Sequence, residues 1–373
     1  MEQCEVLIVG GGPAGSTLAW RLQNEGLDVR VWDKARFPRD KTCAGWVTPA
    51  VVRSLQLNLE DYAKVRTLQP IHGFRIAHMG GRAVETHYGA SPVSYGIRRC
   101  EFDHYLLQRS GAPAFLGRPI STIERDRDGW VVNNELRTRL LVGAGGHFCP
   151  VARHLGARLG RREMVVAAQE AEFFIPESLA SDITVRADVP ELFFCADLKG
   201  YGWVFRKGNY LNVGLGREDN HRLSNRVAEF CEYLRSEQRI TAQIPDEFKG
   251  HAYLLYPHSA RQIVVDNALL IGDAAGLAYA QSGEGIRPAI ESALLAAQTI
   301  LEAAGAYSFA NLAPYRNAVV ERFGQRAAAA PSVQKASWLK LNTARKLLQT
   351  QWFARHVVID RWFLHRRVPA LSS

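Results

Sequence analysis

Val6-Leu7-Ile8-Val9-Gly10-Gly11-Gly12-Pro13-Ala14-Gly15 is the stretch whose reading decides the fold of this chain. The first four residues are a short, fully apolar run, which marks a buried strand. A glycine turn follows at once. Ser16 to Glu25 then reads as a helix with Leu18, Ala19 and Leu22 on one face, and Gly26 ends it. Leu27 to Trp32 is a second strand, closed by Asp33. Strand, glycine turn, helix and strand make a βαβ unit with the dinucleotide-binding fingerprint. Gly10 permits the tight turn, Gly12 admits a pyrophosphate to the backbone, and Gly15 lets helix and strand pack closely. The helix start, with Pro13 and Ala14, offers free N–H groups and a positive dipole end to phosphates. Asp33, eighteen residues after Gly15, is placed to accept a bond from a ribose hydroxyl. Lys34 heads the basic loop that follows and joins the ligand-binding set.

The chain has 373 residues, enough for a large core and two substructures. Apolar residues make up 47% and charged residues 22%, the balance of an ordinary soluble protein. No apolar run reaches the roughly eighteen residues of a membrane span. The chain opens straight into a core strand, so no leader segment is expected. Six cysteines, at 4, 43, 100, 149, 195 and 231, form no Cys-x-x-Cys pair. A metal site is therefore not expected, and a cytoplasmic protein with reduced thiols is.

Outward from the fingerprint the texture changes twice. Residues 71–97 alternate apolar and polar positions between glycines and read as antiparallel strands. A helix follows Arg98-Arg99-Cys100-Glu101-Phe102-Asp103, and Thr122 to Thr138 reads as a hairpin around Asp128-Gly129. Leu140-Leu141-Val142 is another buried strand entering a glycine turn. Residues 165–257 are rich in aromatic, strand-like runs. At Asn267 to Asp273 the buried-strand texture returns, and Gly283-Glu284-Gly285 opens a long Ala-rich helix from Ile286. Residues 1–70, 98–164 and 258–305 thus read as one discontinuous cofactor domain. Residues 71–97 and 165–257 read as a sheet domain inserted into it, and 306–373 as a basic helical C-terminal region. The cleft between the first two is the expected active site.

Four motifs together resemble the flavoproteins of the p-hydroxybenzoate hydroxylase fold, most closely their geranylgeranyl reductase branch. They are the opening fingerprint, Arg99-x-x-Phe102-Asp103, the segment Gly143 to Arg153, and Gly272-Asp273-Ala274-Ala275-Gly276 with Gly283-Glu284-Gly285-Ile286. The resemblance covers residues 4–305. It implies an α/β (mixed α+β) fold: a Rossmann-type FAD-binding domain, an inserted antiparallel-sheet substrate domain and a helical C-terminal region. It implies FAD as cofactor, with NADPH or another reductant as electron donor. In that family Arg99 lies near the cofactor. Asp273, flanked by the cofactor-binding candidate Gly272, suits the hydroxyls of a ribityl chain, and glycines at 283 and 285 let the flavin lie against backbone. The helix from Ile286 aims its positive end at a reduced flavin. The third motif departs from the family pattern, with Gly145 in place of an Asp and Cys149 in place of a Ser. That Asp is linked to NADPH use in the hydroxylases.

Tyr201-Gly202-Trp203-Val204-Phe205 resembles the aromatic signature of the reductase branch, with Arg206 where the family has Pro. Period-2 spacing puts Tyr201, Trp203 and Phe205 on one strand face, which could line an apolar pocket. Cys43 with Gly45 resembles the cysteine element that archaeal reductases place by the flavin, where a thiol can protonate a substrate carbon. Cys43, Tyr201 and Trp203 are the catalytic candidates. The implied activity is hydride transfer from reduced flavin to an apolar or bulky substrate, lipid or peptide among them. The alternative is an O2-using monooxygenase or halogenase, in which Lys64 would be the trapping lysine. Net charge is +9, and residues 335–367 hold eight Lys or Arg against one acid, Asp360. Interleaved Trp and Leu make that tail a candidate membrane surface, a packed helix or a protein-partner site. A peripheral place on the inner membrane face follows from the first of these. Nothing resembles a nucleic-acid fold.

Overall fold

The computed structural model describes residues 1–157, 165–219, 222–326 and 338–371. Three sheets carry the architecture. In the first, an eight-stranded sheet, Glu2–Val9 lies between Leu136–Gly143 and Val29–Asp33, and both pairings are parallel. Ala268–Leu270 extends this array beyond Leu136–Gly143, and Ala114–Leu116 extends it beyond Val29–Asp33, again in parallel. The hairpin Ile123–Asp126 and Gly129–Val132 leans antiparallel on the start of Leu136–Gly143. Val6, Leu7 and Ile8 are fully buried, as are Leu140, Leu141 and Val142. Strands apolar on both faces need cover on both. The helices Pro13–Asn24 and Ile286–Glu302 supply part of it, sharing one apolar cluster through Ala14, Leu18, Ala289 and Ala293.

The second sheet has seven strands in the order Lys249–Leu254, Val165–Phe174, Tyr210–Arg217, Gly200–Lys207, Glu191–Phe194, Gly73–His78, Val84–His87. One neighbour pair, Glu191–Phe194 with Gly73–His78, is parallel and the rest are antiparallel. The third sheet has three strands in the order Trp46–Val47, Ser94–Ile97, Leu68–Ile71, all antiparallel. The alternation along Gly200–Lys207 sorts its residues between two cores. Val204 packs with Phe230 and Leu234 of the helix Leu223–Ser236. Trp203 and Phe205 face the other way, onto Val358, Ile359 and Phe363 of the C-terminal region.

That region is thus built into the molecule over its described part. Ala354–Phe363 is a wide-turn helix with Ala354, Val358, Ile359 and Phe363 buried. The chain end is tied down by cations. The Arg287 guanidinium donates to the carbonyls of Val368 (2.8 Å) and Pro369 (3.1 Å), and Arg322 to that of Pro369 at 2.6 Å. Both arginines pair with the buried Glu291. Trp338, Leu339, Leu347 and Trp352 stay exposed. Lys335, where the basic stretch begins, lies outside the described residues.

A buried polar cluster holds the loop around Cys43 against the second sheet. Asn212 Nδ2 donates to Glu170 Oε2 at 2.8 Å and to the Cys43 carbonyl at 3.1 Å, while the Cys43 amide bonds Glu170. Both backbone groups of Cys43 are therefore held. Glu172 faces Asn212 across the strand pair and takes the Lys207 ammonium at 2.6 Å. Lys207 Nζ, itself buried, also donates to the Ile97 carbonyl at 3.0 Å.

Burial pushes the Glu170 carboxyl from its ordinary 4.5 up to about 7, against the opposing Asn212 bond and Lys207 charge. The folded chain keeps a proton that the unfolded chain releases, so this residue costs stability increasingly as pH rises from 4.5 to about 7. Glu170→Gln keeps a neutral acceptor for the Cys43 amide. Denaturant titration should find the variant more stable than the parent above neutral pH, by up to about 3 kcal/mol. The gain should vanish at acid pH.

Candidate active site

The three strand ends of the first sheet meet in a row. Val9 is in register with Gly143, and Gly143 with Leu270. The chain turns away after each, at Gly10, Ala144 and Ile271, and a cavity of about 430 Å³ opens beyond them. Gly10, with φ +119°, comes so close to the neighbouring turn that a Cβ there would lie 2.4 Å from the Ala144 carbonyl oxygen. At Gly15 a Cβ would lie 1.8 Å from the Gly10 oxygen. At Gly12 the space is open, with Arg39 the nearest neighbour at 3.5 Å. The fingerprint glycines thus divide: Gly10 and Gly15 serve packing, and Gly12 keeps the cavity clear.

Gly10, Gly12, Pro13, Ala14, Asp33, Lys34, Arg99, Asp273, Gly283, Gly285 and Ile286 line this single cavity, and so do Cys43, Tyr201 and Trp203. Gly15 and Gly272 do not. A Cβ at Gly272 would meet Ala14 and Ala289 at 3.0 and 3.3 Å, so this glycine lets the two covering helices close over the turn.

Asp33 accepts from the Gly11 amide through Oδ2 and from the Ala35 amide through Oδ1, both at 2.8 Å. Each oxygen keeps a second lone pair for a ligand hydroxyl. Arg99 is buried and forms two 2.8 Å bonds with Asp103, whose carboxylate Arg39 also approaches at 3.3 Å. The Cys43 thiol is among the groups that act on the Arg99 guanidinium. The family resemblance implies Arg99 near a cofactor; in the fold it lines the same cavity as Cys43.

Asp273 is held by groups that carry no sequence motif. His251 Nε2 stands 3.5 Å from Asp273 Oδ2, and Lys41 Nζ lies 2.9 Å from His251 Nδ1. Burial alone would raise the Asp273 carboxyl, but the His251 hydrogen bond and nearby positive charge bring it down to about 2. His251 is itself pushed below its ordinary value by burial. Near neutrality it faces Asp273 as a neutral donor, and Lys41 and Arg99 supply the charge. Burial in turn lowers Lys41 to about 8. Lys41 sits in the basic loop noted in the sequence. His251 comes from a strand of the other sheet, 22 residues before Asp273, and no local signal marks it.

The aromatic pair offers ring surface only. The Tyr201 phenol donates to the Ser282 carbonyl, and Trp203 Nε1 donates to Asn212 Oδ1 at 2.7 Å. Gly214 stands opposite Trp203 in register, where a Cβ would lie 2.3 Å from the indole. The missing side chain at Gly214 therefore leaves room for the indole, whereas a Cβ at Gly216 would make only ordinary contact with it at 3.6 Å. Phe205 does not reach the cavity and packs instead with Trp46 at 5.8 Å. Phe363 covers Tyr201 at 5.3 Å, closing much of the face that the strand spacing suggested for a ligand. Lys64 is exposed at the surface, bonded to Asp61 at 2.6 Å, and is not among the cavity residues. Among the described residues no His, Cys, Asp or Glu cluster suits a metal ion, and no helix is long and apolar enough to cross a membrane.

These residues fit an FAD molecule. The helix Pro13–Asn24 has no side-chain cap and no acid in its first turn, so its amides are free for a pyrophosphate. Lys34, Arg39 and Lys41 line the same cavity. The helix Ile286–Glu302 likewise starts without a side-chain cap.

Comparison with known proteins agrees with this reading. The FAD binding domain family matches residues 3–316. A menaquinone reductase of Mycobacterium tuberculosis is 31% identical over 326 residues, covering 80% of this chain and 77% of its own. A geranylgeranyl diphosphate reductase of Rhodobacter capsulatus is 29% identical over 304 residues, covering 76% and 71%. The crystal structure of a geranylgeranyl bacteriochlorophyll reductase-like protein from Thermoplasma acidophilum superposes with a TM-score of 0.75 at 22% identity, covering 100% of this chain and 94% of that one. The glycine turns at three adjacent strand ends, the uncapped helix starts and the matched 3–316 together say that this chain belongs to the FAD binding domain family and is an FAD-dependent oxidoreductase.

Proposed function

We propose that this protein reduces carbon–carbon double bonds in an apolar, isoprenoid-like chain. The observation that carries the reading is the meeting of Cys43, Tyr201 and Trp203 with the fingerprint residues in one cavity. The relatives named for menaquinone and for geranylgeranyl diphosphate support it, because both molecules carry isoprenoid chains. In this reading residues 1–70, 98–164 and 258–305 are the FAD-binding part, and 71–97 with 165–257 hold the substrate. FAD supplies two-electron chemistry in the cavity, with electrons drawn from NADPH or another external donor. The chain's own residues do the rest. Gly12 and the start of the helix Pro13–Asn24 receive the pyrophosphate, with Lys34 near it. Asp33 and Asp273 accept hydroxyls, while Gly283, Gly285 and Ile286 present backbone to the flavin ring. Tyr201 and Trp203 exclude water and grip the apolar chain by ring contact. Cys43, kept in place by Glu170 and Asn212, delivers the proton to the substrate carbon.

The apolar substrate also gives a use for the exposed tail. Trp338 is 75% exposed, Leu339 69% and Trp352 67%, in a stretch that also exposes Lys346 and Arg361. Large apolar side chains set among cations match an anionic bilayer interface. We assign this surface to peripheral binding on the cytoplasmic face of the membrane, where a lipid substrate resides. Co-sedimentation with anionic vesicles at low salt should be lost in the Trp338→Ser/Trp352→Ser double variant, with the FAD content unchanged. Binding by both proteins, or by neither, would sink this part.

The glycine geometry separates cofactor binding from folding. Gly12→Val should fold with a melting temperature near that of the parent apoprotein but purify without the flavin absorbance bands. Gly15→Val should instead lose stability by about 3 kcal/mol, the upper range for overpacking.

Alkene reduction needs no oxygen. The reading therefore requires turnover of an isoprenoid substrate under strict anaerobiosis with a chemical reductant. Cys43→Ala should keep its FAD and lose roughly 10²-fold or more in turnover, the usual span for a general acid. Activity that appears only when O2 is admitted would favour monooxygenase chemistry on a bulky aromatic or peptide substrate.

A further inference from the structure

Glu284 stands between Gly283 and Gly285 immediately before the helix Ile286–Glu302, and lines the cavity. It is 8% exposed, and its Oε2 is buried without a hydrogen-bond partner in the described structure. An unpaired carboxyl oxygen in such a place is costly unless it holds a proton or meets a ligand. Its nearest cation, Arg287, is already committed to Glu291 at 2.8 Å and to the carbonyls of Val368 and Pro369. Glu291 in turn is shared with Arg322. No cation is left over for Glu284 in this cluster. The other groups around it are the phenols of Tyr201 and Tyr279. His365, stacked on Tyr279 at 3.8 Å, lies just beyond them.

We propose that Glu284 tunes the reduction of the bound FAD, through a carboxyl whose proton is retained when the cofactor gains negative charge. The geometry supplies the coupling. The residue shares the cavity with the fingerprint, and among the described residues Arg287, the cation that acts on it, forms its ion pair with Glu291 instead. Burial, opposed by the Arg287 charge, pushes its carboxyl from 4.5 up to about 8. At neutral pH the residue is an uncharged donor beside the cofactor. Once ionised it would repel the charge that reduction brings. By linkage, reduction of the cofactor must then strengthen the hold of Glu284 on its proton. This inference rests on the FAD cofactor and is independent of the substrate.

The test uses the purified holoprotein without substrate. The flavin spectrum and the flavin reduction potential are followed from neutral to alkaline pH in the parent and in Glu284→Gln. The parent should show a spectral inflection on the alkaline side of neutrality, and there its potential should fall below that of the variant. At neutral pH the two potentials should converge, because glutamine is also an uncharged donor. The same titration in both proteins, or no inflection in the parent, would overturn the proposal. Should the amide variant fail to load FAD, Glu284→Leu serves in its place. Infrared spectroscopy of the parent adds a measurement free of any variant: a buried carboxylic-acid carbonyl band that fades with the flavin inflection. Absence of that band at neutral pH also overturns the proposal. Failure of isoprenoid turnover would leave all these readouts unaffected.

Discussion

The close approach of Gly15 to Gly10 is the constraint on which the rest depends. With a Cβ position only 1.8 Å from the Gly10 oxygen, the first helix sits on its strand more tightly than any other residue would allow. That contact sets the direction in which the helix leaves the sheet. It therefore sets where the free amides of its first turn are aimed. The parallel register then brings Gly143 and Leu270 level with Val9. Three chain turns crowd the same edge, and each needs a small residue. Gly272 answers the same demand from the far side, between Ala14 and Ala289. The cavity is the space these contacts leave open.

The second sheet supplies what the first lacks. A doubly covered parallel sheet offers backbone and dipoles at its strand ends but few side chains. Here Tyr201 and Trp203 reach the cavity from the other sheet, and Cys43 from its loop. The loop is fixed because both backbone groups of Cys43 bond to the Glu170–Asn212 pair. The aromatic wall is fixed because Gly214 leaves room for the Trp203 indole. Such buried polar contacts are costly unless complete, and this cluster is close to complete. Glu284 is the cavity carboxyl that stands apart from it, with an oxygen still unpaired.

The C-terminal region joins the two halves of the argument. Its buried face, Val358, Ile359 and Phe363, closes the apolar side of Gly200–Lys207. Arg287 and Arg322 hold its end from the helix that starts at the cavity and from the helix after it. Composition alone left the tail open between a membrane surface, a packed helix and a protein-partner site. A run of cations says nothing about which of them are satisfied by carbonyls, and the intervening apolar residues serve both a core face and an exposed one.

Much of this molecule was legible in the sequence because its decisive parts are local. The first βαβ unit needs only neighbours within thirty residues: an apolar run, glycines at fixed spacing and an acid at the strand end. The same is true of Gly272-Asp273 and of the turn at Gly283-Glu284-Gly285. Of the site residues read from sequence, all but Gly15, Gly272, Phe205 and the alternative Lys64 line one cavity, because those local motifs lie at adjacent strand ends. What only the tertiary structure decided is which distant partners complete each group. His251 reaches Asp273 and Lys41 reaches His251, Asn212 and Glu170 hold Cys43, and Phe363 covers Tyr201. Those contacts join residues separated by tens to hundreds of positions, and no periodicity or spacing records them. They depend on how two sheets and a tail are packed together, which is a property of the whole chain.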